Sequence, residues 1–244
     1  MSGHRSVLGA DVLRLALAVV GVLAILCLLT TLLVGCGTDE GSAELHQMVI
    51  AIDRTGVAQA GSWQAEVVTQ TDAALRQRAA KDVDRVALLS IGSNTDQTAT
   101  VASADLATIE GNTAAKRDAA RQRVFDGIAS AAGQVAGEPV GTVGTDVFAA
   151  LHQAASLCLT PEITDCSVVV ISDLEDQRVL AAPTAEIAVK QLSSLMPDLP
   201  GVSLQVSGLG ASGADTATVQ KVKEAWLGLL KDAGAVDIRI ARSL

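Results

Sequence analysis

Tyrosine is absent from the 244 residues, and phenylalanine and tryptophan occur only twice each. A core without many large rings has to be assembled from Ala, Val, Leu and Ile, and a hydrophobic fraction of 49% supplies enough of them. Basic clusters are missing as well. Of 18 Lys and Arg and 27 Asp and Glu, only Arg5, Arg14 and Asp11 precede residue 37, so residues 37–244 keep 16 basic and 26 acidic side chains, a net charge of −10. An acidic chain with no Lys/Arg patch excludes nucleic acid as a partner. The three histidines, His4, His46 and His152, are scattered, and no Cys-x-x-Cys or Cys/His spacing suggests zinc.

Charge is absent altogether from residues 15–34, LALAVVGVLAILCLLTTLLV. About 20 apolar residues at helical rise match a hydrocarbon core about 30 Å thick. Arg5 and Arg14 precede the run, and Asp39 and Glu40 follow it. The positive-inside rule therefore predicts a cytoplasmic N-terminus, with everything after residue 36 outside. The run ends in Leu33-Val34-Gly35-Cys36, which resembles a bacterial lipobox, whose cysteine is lipidated and becomes the new N-terminus. Residues 1–36 are thus expected to be a lipoprotein signal peptide, with Cys36 as the lipidation site. The run exceeds the roughly 7–15 residues of a signal h-region, which keeps an uncleaved transmembrane anchor open. Either way the expected location is the cell membrane, with the folded part on the extracytoplasmic side.

Cys27 lies in the apolar run, which leaves Cys158 and Cys166, with seven residues between them, in the exported part. In an oxidising compartment a disulfide is the default for such a pair.

Residues 37–46 read as a polar linker, and residues 47–244 as one domain. Residues 48–53, 84–92, 166–173, 201–210 and 235–241 are predicted strands, and 97–104, which alternates, is expected to be a half-exposed, antiparallel edge strand. Helices are predicted over 59–81, 113–135, 145–159, from Pro183 to near Met196, and 215–232. Alternating strands and helices imply an α/β, doubly wound, mainly parallel six-stranded sheet with helices on both faces. Ligands of such sheets bind beyond the carboxyl ends of strands, where strand order reverses.

Oxygen-bearing residues gather at such ends. Asp53 and Thr55 follow the first strand, Thr145 and Asp146 open a helix after a glycine-rich loop, and Asp173 ends the VVVIS strand. Carboxylates and hydroxyls without imidazole or thiolate are hard ligands, suited to Mg²⁺, Mn²⁺ or Ca²⁺. Each residue also has a plain structural reading: Asp53 and Thr145 as helix caps, Asp173 as a turn residue. Glu175 and Asp176 read as a solvated face.

The series VIAIDRTG, VGTDVFAALHQA and VVVISDLED resembles the von Willebrand factor A domain over roughly residues 46–241. The resemblance implies that fold and a divalent-cation adhesion site built from Asp53, Thr55, Thr145 and Asp173. The cation's shell would be completed by an acidic residue of a protein partner. The family's second serine falls on Val57, which has no side-chain oxygen. A binding module is therefore the first expectation. A metal-free scaffold domain of an envelope complex, with Arg54 pairing Asp53 or Asp173, is the second. An enzyme is not expected, because no His or Lys base accompanies the carboxylates. GLGASG (208–213) fits a dinucleotide-binding spacing, but no acidic residue ends the following strand, and a tight turn is expected there.

Overall fold

In a computed structural model, residues 44–54, 62–79, 83–92, 98–138 and 145–243 are described, and they belong to one compact unit, Glu44–Leu244. The apolar run 15–34, Cys36, Thr55 and Val57 lie outside the described residues. Among the described residues, no helix is long and apolar enough to cross a membrane.

Six strands form one sheet: β1 (Leu45–Asp53), β2 (Arg85–Ile91), β3 (Ala99–Asp105), β4 (Ile163–Ile171), β5 (Ser203–Ser207) and β6 (Val236–Ile240). Their spatial order is β3-β2-β1-β4-β5-β6, and every pair is parallel except β2–β3. β3 is the alternating segment, mostly exposed, at the sheet edge. β1 starts three residues before the predicted strand, so Leu45 and His46 belong to it rather than to a linker; Leu45 pairs with Ile163 of β4. The chain runs outward from β1 through β2 to β3, then returns to β4 and runs outward the other way. Strand order therefore reverses between β1 and β4, where a ligand crevice is expected.

Period-two alternation divides the core into two layers. Val49 and Ala51 of β1, with Val168 and Val170 of β4, face α3 (Val147–Cys158), α4 (Gln177–Ala181), α5 (Ala185–Leu192) and α6 (Thr216–Asp232). Met48, Ile50 and Ile52, with Val169 and Ile171, face α1 (Trp63–Ala79) and α2 (Ala114–Gly137). Small residues bring α1 and α2 close. A methyl group on Gly133 would stand 2.5 Å from Val68 Cγ2, so a larger residue there would push the helices apart. The segment after Pro183 divides into α5 and a 3₁₀ turn, Ser193–Leu195. α4 has no counterpart among the predicted helices; five residues are too few to show a helical period.

The scarce rings are used at full burial. Trp63 and Trp226 are among the largest fully buried side chains, and Phe148 packs against Trp226 with ring centroids 4.9 Å apart. Each indole N–H is satisfied by a backbone carbonyl, as a buried Trp requires.

Cys158 and Cys166 form the expected disulfide, with Cα atoms 5.5 Å apart, joining the end of α3 to β4. Closing so short a loop restricts the unfolded chain and stabilises the fold by about 2–3 kcal/mol. Replacing both cysteines by serine is expected to lower the free energy of urea unfolding by about that amount. An unchanged unfolding midpoint would show that the bridge contributes nothing.

Candidate functional site

The apolar run of β1 ends on Asp53, which is 0% exposed. A carboxylate buried this deeply costs several kcal/mol or more unless hydrogen bonds or charge compensate it. Two hydroxyls do part of that. Ser172 Oγ donates to Asp53 Oδ2 at 2.6 Å, and Thr145 Oγ1 donates to the same oxygen at 3.2 Å. Three chain segments, 92 and 119 residues away from Asp53 for the two donors, thus meet at the reversal between β1 and β4.

Local structure explains why these side chains are free to meet. Asp146, not Thr145, caps α3, accepting from Ala149 N–H at 3.0 Å. That leaves the Thr145 hydroxyl for Asp53. Asp146 N–H donates to Gly92 O at 2.9 Å and so fixes the start of α3 to the end of β2. β4 ends at Ile171, two residues before Asp173, so the carboxylate sits on the loop beyond the strand rather than on its last residue. In that loop Leu174 N–H donates to Ser172 Oγ at 2.9 Å, and Glu175 N–H donates to Asp173 Oδ1 at 3.0 Å. Leu174 has a positive φ of 62° although it is a buried leucine. Such backbone is costly for a non-glycine residue and persists only where surroundings hold it.

Those surroundings are the two tryptophans. Trp63 Nε1, from one layer, donates to Asp53 O at 3.1 Å; Trp226 Nε1, from the other, donates to Leu174 O at 3.0 Å. Gly208 closes the floor: a Cβ there would lie 3.0 Å from both Ser172 O and Trp63, at φ +99°. The GLGASG segment is the expected tight turn, with positive φ at Gly208, Gly210 and Gly213, and its Ser212 hydroxyl donates to Glu175.

Asp173 is 3% exposed. Burial, and then the nearby charge of Asp53, push its carboxyl up to about 7. The neighbouring arginines are engaged elsewhere. Arg54 does not pair with Asp53 or Asp173, contrary to the scaffold expectation; its Nη1 binds Glu138 Oε2 at 2.8 Å. Arg178 binds Asp146 Oδ1 at 2.5 Å and Asp176 Oδ2 at 2.7 Å, and its guanidinium stands 4.5 Å over the Phe148 ring. Its own pKa is raised, first by the Asp176 hydrogen bond. Asp176 is therefore no part of a solvated face. It is buried, caps α4 and anchors Arg178.

Of the expected ligands, Thr145 bonds to Asp53, and Asp173 lies near enough to feel the Asp53 charge; Thr55 lies outside the described residues. Ser172, Asp146 and Arg178 complete the site. Ser172 adjoins Asp173 in sequence, but its hydroxyl's partner is 119 residues away, which no local pattern reveals. Among the described residues no group of three His, Cys, Asp or Glu is placed so that it could hold a metal ion. The donor set is two carboxylates and two hydroxyls, which fits Mg²⁺ or Mn²⁺: such ions take one or two carboxylates and keep several waters.

No family model and no curated protein matches the chain. Solved structures are similar at low identity. The manganese-loaded TRAP protein of Plasmodium vivax is 13% identical over 67% of this chain and 57% of its own, with a TM-score of 0.39. The open conformation of the pilus adhesin SpaC from Lactobacillus rhamnosus GG is 11% identical over 82% of this chain and 28% of its own, at 0.45. A von Willebrand factor type A protein of Catenulispora acidiphila is 15% identical over 78% and 42%, at 0.34. This chain spans between 28% and 57% of those lengths. They are likenesses, and neither the fold nor the site described above rests on them.

The raised pKa gives a signed prediction. An unfolded Asp titrates near 3.9 and folded Asp173 near 7, so between these values the folded state holds the extra proton and this group's contribution to stability falls as pH rises. In EDTA, Asp173→Asn is expected to gain on the wild type by up to about 4 kcal/mol between about pH 4 and pH 8. Urea unfolding at a series of pH values measures it. A difference independent of pH would show that Asp173 titrates normally.

Proposed function

We propose that this chain is a binding module of the von Willebrand factor A type, presenting the rim at Asp53, Thr145, Ser172 and Asp173 to a protein partner. The observation that carries the reading is the meeting of two buried carboxyls with two hydroxyls at the strand-order reversal, with Arg54 and Arg178 turned to other carboxylates. Asp53, Asp173, Thr145 and, by the resemblance, Thr55 would hold a divalent cation, Mg²⁺, Mn²⁺ or Ca²⁺. When bound, that ion supplies open positions for an acidic side chain of the partner. This chain's residues do the rest. Thr145 and Ser172 orient Asp53, the tryptophans hold the two loop carbonyls, and Arg178 holds the start of α3 through Asp146. The sequence of residues 1–36 supports tethering at the cell membrane, through lipidated Cys36 or an uncleaved helix, with the module on the extracytoplasmic side.

The role proposed is binding rather than catalysis. His152 lies on α3 with Nε2 on Leu195 O at 3.0 Å, engaged away from the carboxylates. A metal-free scaffold domain of an envelope complex is the second reading. It is favoured by Val57 and by the commitment of both described hydroxyls to Asp53.

Calorimetric titration of the full chain with Mn²⁺, Mg²⁺ and Ca²⁺ separates the two. The binding reading predicts saturable heat that Asp173→Ala abolishes, and a melting temperature several degrees higher at about 100 times the dissociation constant, where ligation adds about 2.7 kcal/mol. The scaffold reading predicts no heat and a melting temperature indifferent to EDTA and to all three ions.

A further inference from the structure

At the opposite end of the sheet from Asp53, the apolar layer under α1 becomes polar. The alternation that turns Met48, Ile50, Ile52, Val169 and Ile171 toward α1 and α2 continues downward to His46 of β1 and to Asp165 and Ser167 of β4. In β5, Leu204 and Val206 face the other layer, which leaves Gln205 on this one; in β6, Ile240 faces away and Arg239 toward it. These five side chains from four adjacent strands, with Gln77 of α1, line a cavity of about 520 Å³. Its floor is neutral and buried: Ser167 and Gln205 are each 6% exposed. Gln205 Oε1 lies in that floor with no hydrogen-bond partner. A buried amide oxygen left unpartnered is costly, and most folded proteins avoid it. Arg239 and Asp165 stand at the exposed rim, and neither enters an ion pair among the described residues.

We infer that this polar corner is a second ligand site, independent of the cation rim, and that it takes a short zwitterionic peptide. The lining prescribes the ligand. Gln205 Oε1 needs an N–H or O–H donor, Arg239 a carboxylate and Asp165 a cation. Gln205 pairs in register with Arg239 on one side and Val169 on the other, so Asp165 lies four residues lower on β4. Strand spacing and rise put Asp165 and Arg239 roughly 16 Å apart along the sheet. Their side chains close part of that gap and leave about the 10 Å of an extended tripeptide. The peptide's carboxylate meets Arg239, its last amide N–H meets Gln205 Oε1, and its ammonium meets Asp165. The absence of an aromatic platform in the lining disfavours a sugar, and the paired opposite charges favour a ligand that carries both.

The test is calorimetry on the full chain in EDTA, which removes any contribution of the cation rim, with trialanine and trialanine amide as probes. Saturable binding of trialanine is expected, with the amide about tenfold weaker, the loss of one charge-assisted hydrogen bond. Arg239→Gln should weaken trialanine by about the same factor and erase the distinction between acid and amide. Gln205→Leu should abolish binding and raise the melting temperature by a few degrees, since it removes a buried acceptor that has no partner. That pairing of greater stability with lost binding is not expected of a purely structural glutamine. No saturable heat with trialanine up to about 10 mM, or equal affinity in Arg239→Gln, would overturn the proposal.

Discussion

A single fully buried carboxylate organises the upper rim of this molecule. Asp53 terminates the central strand with no exposure to water, so neighbouring segments must supply what water would. Ser172 and Thr145 do so from just beyond β4 and just before α3, and in doing so they lock the two loops that flank the strand-order reversal. Asp173 then shares the same low-dielectric space, and its pKa rises toward neutrality because burial, and after it the charge of Asp53, disfavours its ionised form. The arrangement tolerates one negative charge. A second is held as the protonated acid up to near neutral pH.

A core poor in aromatics spends its two tryptophans on this problem. One comes from α1 and one from α6, in opposite layers, and each donates its indole N–H to the backbone carbonyl of a rim segment. Packing and polarity are therefore coupled. The rings fill the layers above and below the sheet and at the same time hold Asp53 and the positive-φ Leu174 in place. Arg178 extends the coupling sideways: stacked on Phe148, which packs on Trp226, it bridges Asp146 and Asp176. An α3 cap, an α4 cap and a core ring pair are thus one connected unit. The disulfide ties the other end of α3 to β4.

Much of this was legible in the sequence, for a definite reason. Continuous apolar runs such as 48–53 and the alternating 97–104 report their burial directly, and both became the strands they suggested. Asp53, Thr145 and Asp173 stood out because each interrupts or closes such a pattern. What stayed hidden depends on tertiary pairing. Asp176 and Arg178 look like surface charges until the Asp146 contact, 32 residues away, is known. Arg54 looked like the natural partner of its neighbour, yet its side chain crosses to Glu138. Gln205 sat inside an ordinary strand, and only the sheet order shows that β6 and β4 bring Arg239 and Asp165 to the same face.

The most direct measurement is a carbon-13 NMR titration of the Asp173 carboxyl in the full chain, with and without Mg²⁺. The account predicts a midpoint near 7 without the ion and one displaced well below it with the ion. An ordinary carboxylate midpoint near 3.9, unmoved by Mg²⁺, would contradict it.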